Sequence, residues 1–487
     1  MDKNSRINVV LSLMLLLIFC WTRLYEIHKL PLFLDEALYI RWTDTIAEAG
    51  WSGLLAPLNE DGQPPLFFWI SAVIKKYLLP SDSLLVLRLM SISFGGLAMI
   101  SGMGLAYQIS KSKRAAWIFG FLYVSVPYTL ILERIGMRDS AMTFVFLSSL
   151  LGIYSWRETN QMRGLIFSGV VLSLGIWIKS IAWLAVFSSI LLLVILNKRP
   201  AIRTWIAILA PLIISVAVLY FLGAVNSITQ KNSIFLIEAW PSISQVRDNT
   251  YQVMIWLNQY LSTLLFIFLI FLIAAITLKK DKTIGRFVLV VSAPLMIEIV
   301  IAEIFFPRYF LISVGGFLVM LALYVEKLSR KIHWTHFAVA LLVLLMPPLT
   351  KSIQYVQDPL QTTLPQIEQW QYISGWPAGY GVAETADFLM NNPVDYIFTE
   401  ESDLMRTGLS YYQPALKNNL KVIHGDLSRS SLLAAGLTEA MLQEHEVVLA
   451  LHLKQELPVV LKGEILFSVQ KPNNGDQISI YRINGYK

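Results

Sequence analysis

The sequence predicts a polytopic α-helical membrane protein that ends in a small α/β domain. Three observations predict this class. Mean hydropathy is +0.58, with charged residues at only 15% of the 487. Apolar runs of about 20 residues, each enough to cross a ~30 Å hydrocarbon core as a helix, recur from the N-terminus to Thr350. Beyond Leu349 the composition turns polar and mixed over a stretch of domain size.

Taken in order, hydropathy gives about eleven spans, at residues 9–27, 83–109, 115–132, 140–156, 164–178, 181–196, 205–222, 255–278, 287–305, 309–325 and 337–349. The first run is too long for a signal-peptide core and has no small-residue cleavage site, so it reads as an anchor. It contains Cys20, the single cysteine, and an intramolecular disulfide is therefore ruled out. The apolar stretch 65–79 is short and carries Lys75 and Lys76, which suits a helix lying in the interface.

Lys and Arg orient the spans. With the N-terminus in the cytoplasm, every inner loop holds at least two cations: Lys3 and Arg6; Lys111, Lys113 and Arg114; Arg157 and Arg163; Lys198, Arg199 and Arg203; Lys279, Lys280, Lys282 and Arg286; Lys327, Arg330 and Lys331. An odd number of spans then puts the C-terminal domain outside. The formal charge of +6 is thereby a matter of topology, and nucleic acid is not an expected partner. The chain divides into a membrane part, 1–350, whose first outer loop is 28–82, and an extracytoplasmic part, 351–487. In the latter, strand-like runs at 395–398, 420–423, 447–453, 464–469 and 478–483 mix with helical stretches at 384–391 and 430–444.

This topology collects unusual residues on the outer face. Asp35 and Glu36 follow the first span, and the same loop carries Glu60, Asp61, Gln63, Pro64 and Pro65. Arg134, Arg138 and Asp139 lie where the third and fourth spans meet, Lys179 sits in a tight turn with Ser180, and Arg308-Tyr309 follows Pro307. Snorkelling to the headgroups accounts for any one of these cations. It does not account for their placement at helix ends beside carboxylates. Arg offers bidentate contact to phosphate oxygens and Lys a point charge, so the set suits a lipid phosphate and a reacting hydroxyl.

On these residues the chain resembles the C-type (GT-C) glycosyltransferases that use polyprenyl-phosphate sugars, above all protein O-mannosyltransferases and the lipid A aminoarabinose transferase. The resemblance is carried by Leu34-Asp35-Glu36, Gln63-Pro64-Pro65-Leu66, Arg134 to Asp139, Gly175 to Lys179 and Pro307-Arg308-Tyr309, in the family's order over roughly residues 1–350. It implies a GT-C membrane domain and an inverting transfer from a polyprenyl-phosphate sugar to a lipid, glycan or protein acceptor, outside a bacterial plasma membrane. By position it implies Asp35 as the catalytic carboxylate with Glu36 as its neighbour and Asp139 as a second catalytic candidate. Arg134, Arg138, Lys179, Arg308 and Tyr309 would hold the donor phosphate, and Asp61, Gln63, Pro64 and Pro65 would form the acceptor loop. Gln63 stands where relatives often have His or Lys, and Ser180 where Gly is usual; the first leaves the acceptor class open.

The chemistry itself asks for one base near the acceptor hydroxyl and cations on the leaving phosphate. No general acid is required, because a lipid phosphate departs readily once its charge is neutralised. A divalent ion at Glu60 and Asp61 is the weaker reading of those residues, and plain turn acids the stronger. The six histidines show no metal-ligand spacing, and the segment 375–381, glycine-rich but lacking a Lys-Ser/Thr ending, reads as a turn into the helix that follows. The competing reading is a transporter or lipid flippase, which would place ionisable residues near helix midpoints. Glu298 and Glu303, in or near the ninth span, are the residues that fit it.

Overall fold

The structure is a computed structural model that describes residues 3–197, 200–223, 227–228, 241–279, 282–453 and 456–487. Lys198, Arg199 and Lys280, counted above among the inner-loop cations, lie outside the described residues. Contacts divide the chain into two compact units: Met1–Ile27 with Thr45–Thr363, and His28–Asp44 with Leu364–Lys487.

In the first unit, helices stand where the sequence places spans: Lys3–Leu24, Ser83–Ser110, Asp139–Thr159, Arg163–Ile178, Ala182–Leu196, Ile202–Phe221, Lys282–Ile301, Leu311–Ser329 and Trp334–Gln357. Two expected spans are broken. The run 115–132 is a pair of helices, Lys113–Ser125 and Pro127–Arg134, bent by 60°. Pro127 has no N–H and drives Val126 to φ −76°, ψ 123°, while Thr129 Oγ1 donates to the carbonyls of Tyr123 (2.7 Å) and Val126 (3.0 Å) and so satisfies the break. The run 255–278 divides at Ser262, φ +70°, between Ile243–Leu261 and Thr263–Lys279.

Among the described residues, five helices are long and apolar enough to cross a membrane, six if the bent pair counts as one. The expected eleven exceed this because several apolar helices are short. Ala182–Leu196 has 15 residues, about 22 Å at 1.5 Å per residue, less than a hydrocarbon core. The apolar stretch after Pro65 forms the helix Leu66–Tyr77, with Lys75 and Lys76 in its last turn.

Small residues draw the helices together, as is usual in membranes, where no hydrophobic force separates helix from lipid. A Cβ on Gly152 would lie 2.6 Å from the Gly164 carbonyl, and one on Gly164 2.6 Å from that of Gly152. Hydroxyl pairs bridge neighbouring helices at Ser91–Ser140 (2.9 Å), Ser101–Ser148 (2.7 Å) and Ser149–Ser189 (2.9 Å).

An ionic group centred on Glu133 is buried in this packing. Arg23 Nε donates to Glu133 Oε2 at 2.8 Å and Tyr123 Oη to Glu133 Oε1 at 2.6 Å, with Arg23 fully buried and Glu133 1% exposed. Gly95 makes room for it, since a Cβ there would stand 2.4 Å from the Glu133 carboxyl carbon.

The second unit is built on a five-stranded sheet in the order β2-β1-β3-β5-β4, where β1 is Tyr396–Glu400, β2 Leu420–Ile423, β3 Val447–Leu451, β4 Leu461–Gln470 and β5 Gln477–Tyr486. β2, β1 and β3 run parallel; β3, β5 and β4 are antiparallel. All five lie on strand-like runs of the sequence. The expected helix at 430–444 is two short ones, Arg429–Ala434 and Glu439–Glu444, parted by Gly436 at φ +92°. The glycine-rich loop does turn into a helix, Val382–Asn391, through Gly381 at φ +88°.

The sequence boundary at 350/351 falls inside the helix Trp334–Gln357, and residues 28–44 belong with the C-terminal unit. There the Leu34 N–H donates to the Pro377 carbonyl at 3.0 Å, the Leu32 N–H donates to Tyr412 Oη at 3.2 Å, and Arg41 pairs with Asp403 at 2.7 Å. Phe33 meets Tyr372 edge-on at 4.9 Å. A Cβ on Gly379 would coincide with the Leu32 carbonyl, so only glycine allows this approach.

Candidate active site

The first unit gathers most of the predicted residues into one polar group. Lys179 ends the helix Arg163–Ile178 in an extended conformation, φ −156°, ψ 135°. That helix lies close to Asp139–Thr159 because Gly175 faces Val145, where a Cβ would be only 2.8 Å from Val145 Cγ1. Asp139 occupies the first turn of its helix, where the positive end of the helix dipole favours a carboxylate. Lys179 Nζ and Asp139 Oδ1 are 2.6 Å apart, with the side chains 14% and 4% exposed. Burial pushes the Lys179 ammonium below its ordinary pKa; Asp139 acts against this, and Arg308 and Arg138 add to it.

Arg138 joins the group from the start of the same helix. Its Nη1 donates to the Ile178 carbonyl at 2.9 Å and its Nη2 to Gln63 Oε1 at 2.6 Å, and its guanidinium lies 5.2 Å from the Phe68 ring centre. Gln63 in turn donates to Asp61 Oδ2 at 3.0 Å. Pro64 and Pro65 are buried and lead directly into Leu66–Tyr77. Opposite, the 3₁₀ turn Pro307–Phe310 presents Arg308 and Tyr309. The Tyr309 ring lies near two cations, its centre 5.4 Å from Lys179 Nζ and 5.7 Å from the Arg308 guanidinium carbon. Tyr128 anchors this turn by donating to the Pro307 carbonyl.

Arg134 does not join them. Its Nη1 donates to the carbonyls of Thr22 (2.8 Å) and Tyr25 (2.9 Å), and its Nη2 to that of Glu26 (2.9 Å). Thr22 is in the last turn of the helix Lys3–Leu24, and Tyr25 and Glu26 follow its end, so Arg134 closes the C-terminus of that helix. The Arg134 guanidinium, expected among the phosphate ligands, thus donates to backbone carbonyls.

Asp35 and Glu36 belong to the second unit, in the first turn of the helix Leu34–Ala49. Asp35 is half-buried. Glu36 is fully buried and its Oε2 accepts from the Phe33 N–H at 3.0 Å, the reciprocal half of a capping box that fixes the helix start. Glu60 is exposed, and among the described residues no group of three or more His, Cys, Asp or Glu is disposed to hold a metal ion.

One member of the first unit's group was read from the sequence only as a point for the transporter. Glu298, 5% exposed in the helix Lys282–Ile301, lies within electrostatic reach of Lys179 and Asp139. Its signal was available: a carboxylate inside an apolar run. Arg23 and Glu133 were missed altogether.

The fold is that of the GT-C glycosyltransferases. ArnT from Cupriavidus metallidurans matches over 98% of both chains, with a TM-score of 0.61 and 11% identity in its complex with undecaprenyl phosphate, and 0.62 and 13% in the apo state. The archaeal oligosaccharyltransferase AglB from Archaeoglobus fulgidus, in complex with an inhibitory peptide and a dolichol-phosphate, matches over 99% of this chain and 74% of its own, with a TM-score of 0.55 and 11% identity. In sequence, residues 62–222 match the family described as dolichyl-phosphate-mannose-protein mannosyltransferase. That stretch contains Gln63, Arg138, Asp139 and Lys179. No curated protein matches the chain significantly.

Proposed function

We propose that the protein is an inverting glycosyltransferase that moves a sugar from a polyprenyl-phosphate carrier to a hydroxyl or phosphate acceptor at the outer face of a bacterial plasma membrane. The observation that carries this reading is the joining of Lys179, Arg138 and Arg308 around Asp139 and Tyr309, at the ends of apolar helices. Cations so held and half-shielded from water suit a phosphate at headgroup depth. ArnT bound to undecaprenyl phosphate and AglB bound to a dolichol-phosphate share the fold, which supports the same class of carrier here.

In this reading Asp35 accepts the proton of the acceptor hydroxyl. The oxygen attacks the anomeric carbon as the bond to the phosphate oxygen breaks, and the configuration inverts. Charge that develops on the leaving oxygen is taken up by Lys179, Arg138 and Arg308, so no general acid is needed. Gln63 orients Arg138, and Asp139 orients Lys179. Arg134 and Glu36 act through the fold.

The test is to incubate purified protein with synthetic undecaprenyl-phosphate hexoses and pentoses and follow each by mass spectrometry. Consumption of one donor with release of undecaprenyl phosphate supports the reading. Intact donors in the presence of a membrane extract that supplies acceptors would refute it.

A further inference from the structure

The phosphate-binding reading uses the cations of this group and leaves its acceptor atoms unexplained. Both carboxylate oxygens of Glu298 are buried without a hydrogen-bond partner, and so is Asp139 Oδ2, the oxygen that Lys179 does not take. A buried, unpaired polar atom costs on the order of 1–3 kcal/mol, more when charged, and native proteins keep few of them. Here three oxygens share one small region, on the helices Asp139–Thr159 and Lys282–Ile301. Glu298 is one turn from the end of its helix and its backbone is satisfied, its carbonyl accepting from Ala302 N–H at 2.9 Å. Only the side chain is left waiting.

We propose that Glu298, with the second oxygen of Asp139, binds hydroxyl groups of the transferred sugar and thereby determines which donor is used. The inference rests on the donor reading above and names the part of the ligand that the cations do not touch. Lys179, Arg138 and Arg308 can only donate and suit the phosphate, whereas the three unpaired oxygens of Asp139 and Glu298 need donors, which the hydroxyls of a sugar supply.

The experiment compares lipids with and without the sugar. Full-length wild type, Glu298→Gln and Glu298→Leu are titrated with undecaprenyl phosphate, undecaprenyl-phosphate glucose and mannose, and the corresponding amino-sugar lipid. Glu298→Leu is expected to weaken the hexose lipids by about tenfold or more while undecaprenyl phosphate stays within about twofold, because hydrogen bonds to a carboxylate are lost and phosphate contacts are not. Glu298→Gln, which keeps one acceptor and the shape, is expected to fall between. Equal losses for sugar-bearing and sugar-free lipid would overturn the assignment and make Glu298 structural. Tighter wild-type binding of the amino-sugar lipid than of both hexose lipids would overturn the hydroxyl class. A wild type that binds none of these lipids would overturn the donor reading itself, an outcome distinct from either.

Discussion

Two buried ionic groups of the first unit, one around Glu133 and one around Lys179, differ in how far they are satisfied. Around Glu133, Arg23 and Tyr123 fill both carboxylate oxygens, Gly95 clears the space, and Arg134 next to it closes the end of the first helix. Around Lys179, the cations converge on the Lys179–Asp139 ion pair, and three carboxylate oxygens of Asp139 and Glu298 have no hydrogen-bond partner. The first arrangement is a closed network, whose worth lies in holding helices together. The second leaves carboxylate oxygens that its own side chains do not pair. Charge alone does not mark a site; unfinished hydrogen bonding does. Arg134 and Arg138, four residues apart in one motif, illustrate it, one spent on backbone and the other turned toward Gln63 and Lys179's helix.

The comparison can be extended with Asp35, the carboxylate proposed as base. Asp35→Asn keeps shape and loses proton acceptance, so turnover should fall about 10²–10⁴-fold while donor binding is retained. Single-turnover assays with saturating donor check this. Retained turnover would pass the role to Asp139.

The closed network should respond in the opposite currency. Glu133→Gln leaves Arg23 buried without its counter-ion, and breaking such a pair costs about 3–5 kcal/mol. Thermal unfolding in detergent should report the loss, with donor affinity per folded molecule unchanged. An unaffected unfolding temperature would show that the pair is dispensable.

A smaller effect is expected at the open group. Lys179→Met or Arg308→Met should weaken donor use by about tenfold or more, the worth of one charge-assisted contact, without loss of membrane insertion. Normal donor titrations for both would return these cations to snorkelling.

The second unit supplies the mildest test, a dependence on pH. Burial pushes the Glu400 carboxyl up, but bonds from the N–H groups of His452 and Leu453, both 2.8 Å, and the His452 ring 3.4 Å away outweigh it and hold it below its ordinary value. A lowered native value means that stability is present above the ordinary carboxylate range and is lost as pH falls through the native one. Hydrogen exchange over residues 364–487 of the full-length protein should therefore quicken in acid. In Glu400→Gln that acid step should shrink, leaving the part that comes from charging the buried His452. A step of unchanged size in the variant would assign it elsewhere.

What the sequence reveals follows the range of the interactions. Strands of the second unit are legible because their signal is local, and Lys179 is legible because a cation between two apolar runs has few places to go. The bend at Pro127 was also local, yet the run reads through it, since hydropathy ignores the missing N–H. Other features are set by partners far away in the chain. Arg134 and Arg138 look alike until the carbonyls of residues 22–26 are in place. Residues 28–44 join the second unit through Pro377, Gly379 and Tyr412, more than 340 residues on, as the Leu34–Pro377 bond shows. Glu298 is visible as an oddity, but its lack of a partner is a property of the packed helices alone.

The central claim is that the group around Lys179 binds the carrier phosphate and the group around Glu133 does not. The direct measurement is a titration of undecaprenyl phosphate into wild type, Lys179→Met and Arg134→Met, each normalised to its folded fraction. The account predicts affinity reduced about tenfold or more in Lys179→Met and wild-type affinity in Arg134→Met. Loss in Arg134→Met with none in Lys179→Met would contradict it.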